Sequence, residues 1–140
     1  MRDEILDHYN DEDIRNIYIK RDVSKWHKHL VAISEEVTFY TKLLSALQGS
    51  SNDEVSPKSD ALIAAFTEIA AANQDYLDNL VDYRNQIGNI KECQDMQCEK
   101  FYLNSHEAFT ETIETHLDCF RGLKSQVREL FWGNLEIRIE

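Results

Sequence analysis

Apolar side chains recur at alternating steps of four and three residues over three long stretches of the chain. The first set is Val23, Trp26, Leu30, Ile33, Val37, Tyr40, Leu44 and Leu47; the second is Leu62, Phe66, Ile69, Asn73, Tyr76, Leu80, Tyr83, Ile87 and Ile90; the third is Tyr102, His106, Phe109, Ile113, His116, Phe120, Leu123, Val127 and Leu130. This heptad spacing puts each set on one face of an α-helix. Only 4 Gly and 1 Pro occur in 140 residues, which favours a few long helices over many short strands. We therefore predict an all-α fold, a long antiparallel (up-down-up) three-helix bundle with coiled-coil-like packing.

The predicted bundle spans residues 22–132, with helices at about 22–48, 57–92 and 99–132. Ser56 and Pro57 are a good cap and first residue for the second helix. Gly88 could end that helix early, but the apolar spacing continues to Ile90, so we place the next turn within residues 92–99. Residues 1–21 are polar and are expected to form a short N-terminal arm or a short helix. Residues 133–140 form a tail, for which a frayed helix is favoured over a short strand.

The charge balance excludes some partners. The chain has 15 basic and 26 acidic residues, a formal net charge of −11. Such a surface repels phosphate backbones and anionic lipids, so we expect no nucleic-acid partner and no membrane partner. A basic protein is compatible with it, although an acidic surface also serves simply to keep a protein in solution.

We expect the protein to be cytoplasmic. No apolar signal core follows Met1, and the longest apolar run, Ala61 to Phe66, is too short to span a bilayer. The three cysteines are an odd number without the spacing of a disulfide framework, which is typical of free thiols in a reducing compartment. A redox pair of Cys93 and Cys98 across the turn is the alternative.

Two histidines occupy inward positions of the third helix. His116 is predicted to lie in a buried polar layer with Asn73 and Tyr40, because one such layer can fix the register of packed helices. His106 is predicted to be a boundary histidine, with a metal site built from His106, His29 and a nearby acid as the alternative. The Glu-x-x-His motif of bundle metal sites is absent, so no metal and no cofactor is predicted.

We predict no enzymatic activity and no catalytic residue. The chain has no nucleophile-elbow motif, no phosphate-binding glycine loop and no dinucleotide-binding signature. Four large side chains lie outside the strict heptad positions and could widen the core or form an interface, including a homodimer interface. They are Phe39, Leu43, Phe131 and Trp132.

Residues 22–132 also resemble small uncharacterised helical-bundle proteins of Bacteroidetes-type bacteria. The similarity rests on Trp26, Leu30, Ile33, Glu36, Phe39 and Leu43-Leu44, on Ser105-His106-Glu107 with Phe109, and on the run Phe120-Arg121-Gly122-Leu123-Lys124. It implies a cytoplasmic helical bundle and brings no catalytic residues with it.

The sequence therefore predicts a non-enzymatic acidic protein that acts through protein–protein contacts, as an adaptor, a regulator or an immunity-type inhibitor. Its partner would be another protein or a second copy of the chain. The alternative is a bundle that binds a metal or a small ligand through its inward histidines.

Overall fold

The computed structural model describes residues 11–50, 55–87, 89 and 92–139. Over these residues the chain forms three long α-helices and no strand. They are α1 (Asp11–Ser50), α2 (Val55–Ile87) and α3 (Met96–Ile139). Each helix packs against the next along the chain, and α1 and α2 make the most extensive contact. The predicted all-α three-helix bundle is confirmed.

The core is built almost entirely from the heptad positions, which form two apolar clusters. The first contains Ile19, Val23, Trp26, Leu30, Leu80, Tyr83, Ile87 and Ile113. The second contains Ile33, Val37, Leu44, Leu62, Phe66, Ile69, Phe120 and Val127. Between the two clusters lie Asn73 and His116, which are both buried.

The prediction that α1 begins near residue 22 is wrong. Helix α1 already begins at Asp11, so residues 11–21 are its first turns and not a separate arm. Ile19 lies four residues before Val23 and is buried, and it therefore adds one more step to the heptad spacing. Residues 1–10 of the predicted arm lie outside the described residues.

The predicted turn within residues 92–99 overlaps the observed connection at residues 92–95, but the connection begins earlier and ends earlier than predicted. Helix α2 ends at Ile87, next to Gly88, whose low helix propensity favours this end. Helix α3 begins at Met96, where the Asp95 side chain accepts a hydrogen bond from the backbone N–H of Cys98 at 2.8 Å. Asp95 is therefore the N-cap of α3.

Cys93 and Cys98 form a disulfide across this connection, which corrects the expectation of free thiols. Cys119 is a free cysteine and is exposed. The spacing of five residues did not predict the bond, because pairing depends on how the chain turns between α2 and α3.

At its other end, α3 continues to Ile139, so the predicted helix end at 132 is wrong and residues 133–139 are helical. At the α1–α2 connection, α1 ends at Ser50 and α2 begins at Val55, within two residues of the predicted bounds. Among the described helices, none combines the length and the apolar character that a membrane span requires.

Candidate functional site

His106 lies where all three helices meet near the amino-terminal end of α3. Its ring hydrogen-bonds to the hydroxyl of Tyr83 on α2 through Nδ1, and to a carboxylate oxygen of Asp22 on α1 through Nε2, at 2.9 Å. The ring of Trp26 stacks on the imidazole with 5.1 Å between centroids. Phe109 packs against both Trp26 and Tyr83. This aromatic cluster holds the imidazole in one orientation.

The protons of this site follow from its partners. A carboxylate only accepts hydrogen bonds, so Nε2 of His106 donates to Asp22. In the neutral ring Nδ1 is then an acceptor, and the Tyr83 hydroxyl donates to it. Burial, with a smaller contribution from the negative charge of Asp22, raises the pKa of Tyr83 well above its ordinary value. Tyr83 therefore stays protonated at neutral pH and keeps its hydrogen bond.

An aspartate, a histidine and a hydroxyl in series resemble the arrangement that activates a nucleophile. Here the hydroxyl belongs to Tyr83, which is buried and whose raised pKa disfavours the nucleophilic phenolate. The geometry instead connects one residue from each helix through a single imidazole. We interpret the Asp22–His106–Tyr83 cluster as a structural link between the helices.

The alternative metal site, in which His106 pairs with His29, is not formed by the described residues. His106 lies level with Asp22, and His29 is seven residues further along α1, about 10 Å along the axis. His29 lines a separate groove between α1 and α3, with Glu114 and Asp118 on its opposite wall. In the part of the chain that the structure describes, no three ligating side chains are close enough to hold a metal ion.

The second polar site is the buried layer between the two apolar clusters. The amide nitrogen of Asn73 donates to the backbone oxygen of Leu30 at 2.8 Å and to Oγ of Ser34 at 2.9 Å. The amide oxygen must therefore accept from Nε2 of His116, which lies 2.8 Å away. The structure thus brings His116 and Asn73 together, as the sequence predicted, and connects α1, α2 and α3 through one amide.

Tyr40 is not part of this layer. Its ring stacks on Phe66 with 5.5 Å between centroids and meets Phe120 edge-on, within the second apolar cluster. The α1–α2 connection places Leu30 and Ser34 opposite Asn73, whereas Tyr40 lies six residues past Ser34, about 9 Å along the axis. The tyrosine beside His116 is Tyr76, whose ring is steeply inclined to the imidazole with 4.7 Å between the ring centroids.

Burial lowers the pKa of His116, so its ring is neutral at neutral pH. Because Nε2 carries the proton, Nδ1 is an acceptor, and it has no hydrogen-bond partner among the described residues. Since no fully buried side-chain nitrogen there lacks a partner, Nδ1 reaches solvent. The opening that His116 lines is a groove of about 760 Å³ between α2 and α3.

The four residues predicted to widen the core or form an interface have different surroundings. Phe131 is half-buried and packs on the second apolar cluster, and Leu43 is half-buried on α1. Phe39 and Trp132 remain 59% and 67% exposed. Among the described residues the ring of Phe39 contacts that of Tyr40, and no ring contact joins it to Trp132.

Two features of the sites were missed from the sequence. Asp22 lies at the predicted start of the first helix and was not among the predicted site residues, yet it is the carboxylate that binds His106. Extending the heptad spacing back to Ile19 would have placed Asp22 inside α1, beside the core. The Cys93–Cys98 bond was kept only as an alternative, and the Asp95 cap that brings the two cysteines near each other was not recognised.

No protein-family model, no curated protein and no solved structure matches this chain. The resemblance to small bacterial helical-bundle proteins therefore stays a prediction, and the functional argument rests on the chain itself.

Proposed function

We propose that this protein is a non-enzymatic acidic bundle that acts by binding a basic protein partner, as an adaptor, a regulator or an immunity-type inhibitor. The proposal rests on the position of the charged side chains in the fold. Within the described residues the buried polar side chains are Ser59, Asn73 and His116, and none of them is a carboxylate. The acidic excess described there consequently faces solvent.

A surface charge of this size has two physical consequences. It attracts positively charged proteins over distances comparable to the Debye length, and it repels nucleic acids and anionic membranes. The polar clusters inside the bundle do not favour catalysis as a competing function. The hydrogen bonds of the Asp22–His106–Tyr83 cluster join helices, and the Tyr83 hydroxyl is buried.

A salt-resolved pull-down tests this proposal. The full chain is immobilised and exposed to the proteins of its source cells, and bound proteins are eluted by stepwise increases in salt. The proposal predicts a partner with a basic surface that elutes as the salt rises, because the Debye length falls from about 10 Å at 0.1 M to about 3 Å at 1 M. A partner whose affinity does not depend on salt would show that charge is not the basis of binding.

A homodimer is the second candidate, favoured by the exposed rings of Phe39 and Trp132. Burying two such aromatic side chains is a common source of association free energy. Light scattering on the eluted peak of a sizing column distinguishes the two states. A mass near the 16.4 kDa of one chain excludes the dimer, and twice that mass supports it.

For the compartment, we propose the cytoplasm, on the basis of the sequence argument above. The Cys93–Cys98 bond is compatible with the cytoplasm only if it is transient there, because disulfides in reducing compartments are rare and are usually transient. Trapping thiols with an alkylating agent in intact cells would test it directly. A Cys93–Cys98 pair that is fully oxidised at steady state would contradict the cytoplasmic assignment.

A further inference from the structure

The groove between α2 and α3 has the dimensions of a helix-binding site. It is lined only by residues of these two helices, from Ala65 to Tyr76 on α2 and from Ala108 to Leu123 on α3. At 1.5 Å per residue these walls are about 16 Å and 22 Å long. That length matches about 11 to 15 residues of a bound helix.

The groove has short side chains on its walls and is open to solvent. Ala65 and Ala72 lie on one wall and Ala108 on the other, and such short side chains let a further helix axis approach to about 8–10 Å. Half of the lining residues are exposed, among them Glu68, Glu111 and Thr112, so the groove is open to solvent. A small-molecule site normally encloses most of its ligand, and an open groove fits an elongated ligand better.

His116, which lines the groove, offers an acceptor that is accessible and has no partner among the described residues. His116 is only 6% exposed, and its Nε2 is committed to Asn73. Its Nδ1 has no hydrogen-bond partner among the described residues and is accessible, as argued above. A nearly buried acceptor of this kind favours an occupant that offers an N–H or O–H donor.

The charge of the groove has a single sign. Glu68 on α2 and Glu111 on α3 line it, and no lysine or arginine does. The two other grooves described in the structure carry both signs. One has Lys58 with Glu129; the other has Lys25 and Arg121 with Glu114 and Asp118.

We propose that the α2–α3 groove binds a basic amphipathic helix of a partner protein, with lysine or arginine side chains beside Glu68 and Glu111 and one donor directed to Nδ1 of His116. This inference rests on the proposed function and assigns it a site. A second copy of the chain carries a net charge of −11 and does not complement the acidic walls. Residues 1–10, with three carboxylates and one arginine, do not complement them either.

The free thiol of Cys119 provides a reporter inside the groove, because this residue lines the groove and is exposed. The probe is a synthetic helical peptide of about 15 residues with an alanine–leucine stripe flanked by lysines. Alkylation of Cys119 by iodoacetamide is followed by mass spectrometry, without reductant, so that the Cys93–Cys98 disulfide stays closed. At a peptide concentration of about ten times its Kd, roughly a tenth of the protein is free and alkylation slows about tenfold. The control peptide has every lysine replaced by glutamate and leaves the rate unchanged.

A matched pair of double variants tests the two walls. Glu68→Gln with Glu111→Gln is expected to weaken peptide affinity by about threefold to tenfold, since exposed ion pairs contribute modestly. Glu35→Gln with Asp82→Asn changes the net charge equally at exposed positions outside the groove and is expected to weaken affinity by less than about twofold.

The outcomes separate this inference from the proposed function. Salt-dependent binding that leaves Cys119 reactive, or that both double variants weaken equally, overturns the groove and leaves the proposed function standing. Equal protection of Cys119 by a small organic diamine overturns the helix as occupant. Absence of any peptide binding overturns the groove as a site for a basic helix. Peptide binding that does not respond to salt counts against the proposed function itself.

Discussion

Asn73 makes the contacts that determine how the two apolar halves of the core meet. Its amide donates to Leu30 and Ser34 of α1 and accepts from His116 of α3. Both N–H groups and the oxygen of this buried amide therefore have partners, whereas a polar group left in the core without its partner would lower the stability of the fold. The same polar pair can be replaced by apolar side chains only if both members change together.

The hydrogen bonds of Asn73 predict the result of a double-mutant comparison. Asn73→Leu alone leaves the Nε2–H of buried His116 without an acceptor and is expected to lower the free energy of unfolding by about 2–3 kcal/mol. Combining it with His116→Leu removes the orphaned donor and is expected to regain most of that loss. Urea denaturation is measured on the wild-type protein, on each single variant, Asn73→Leu and His116→Leu, and on the double variant. Losses that simply add in the double variant would contradict the coupling.

The neutral state of His116 predicts a pH dependence of stability. Burial lowers the pKa of His116, so the unfolded chain, with a histidine pKa of about 6.5, takes up a proton at a higher pH than the folded protein does. The stability that the neutral ring of His116 contributes is fully present above about pH 7.5. It is lost as the pH falls through 6.5 toward the lowered pKa of the folded protein.

The change in unfolding free energy with pH that this one residue causes cannot exceed about 1.4 kcal/mol per pH unit. Denaturation of the wild-type protein and of His116→Gln between pH 5.5 and pH 7.5 isolates it, because the other titrating groups are common to both. Here 5.5 and 7.5 are about one unit on either side of the ordinary histidine pKa. The wild-type protein is expected to lose more stability in acid than the variant. Parallel curves would mean that His116 is not held neutral by the fold.

At the scale of the helices, the three heptad faces were predictable because the spacing of apolar residues is a local property of the sequence. The alignment of α3 against α2 along the bundle axis was predictable too, and His116 does lie opposite Asn73. The position of Tyr40 was not, because a shift of α1 by about one heptad brings equivalent apolar residues to the interface. In the structure the α1 partners of Asn73 are Leu30 and Ser34.

The connection between α2 and α3 was harder to predict for a different reason. Its structure depends on a cap at Asp95 and on a covalent bond, which leave little trace in hydrophobic spacing. The contact of His106 with Asp22 was harder to predict too, since α1 begins eleven residues earlier than predicted and Asp22 is therefore an interior residue of the helix.

The Cys93–Cys98 bond is expected to stabilise the α2–α3 connection. It joins residues five apart, and loop-closure entropy for so short a loop predicts a contribution of about 2 kcal/mol. Cys93→Ser combined with Cys98→Ser is therefore expected to lower the free energy of unfolding by up to that amount. The matched control is Cys119→Ser, at an exposed free thiol, which should change it by less than about 0.5 kcal/mol. Equal stability of the double variant and the wild-type protein would contradict a stabilising role.

At the scale of the whole molecule, the charge distribution carries the functional argument. The polar groups that the fold buries are engaged in joining helices, and the described carboxylates remain at the surface. A protein of this kind gains association rate and selectivity for basic partners through its field, while close packing at the contact supplies the rest of the affinity. The acidic groove between α2 and α3 is where both effects would act on one ligand.

The measurement that tests the central claim most directly is the affinity of the full chain for the lysine-flanked helical peptide at two salt concentrations. Isothermal titration at about 0.1 M and about 1 M salt spans Debye lengths of about 10 Å and 3 Å. The account predicts binding at low salt that weakens by about threefold or more at high salt, and no binding of the glutamate-substituted peptide at either. An affinity that is the same at both concentrations, or equal binding of the two peptides, would contradict the claim that this acidic bundle recognises a basic helix.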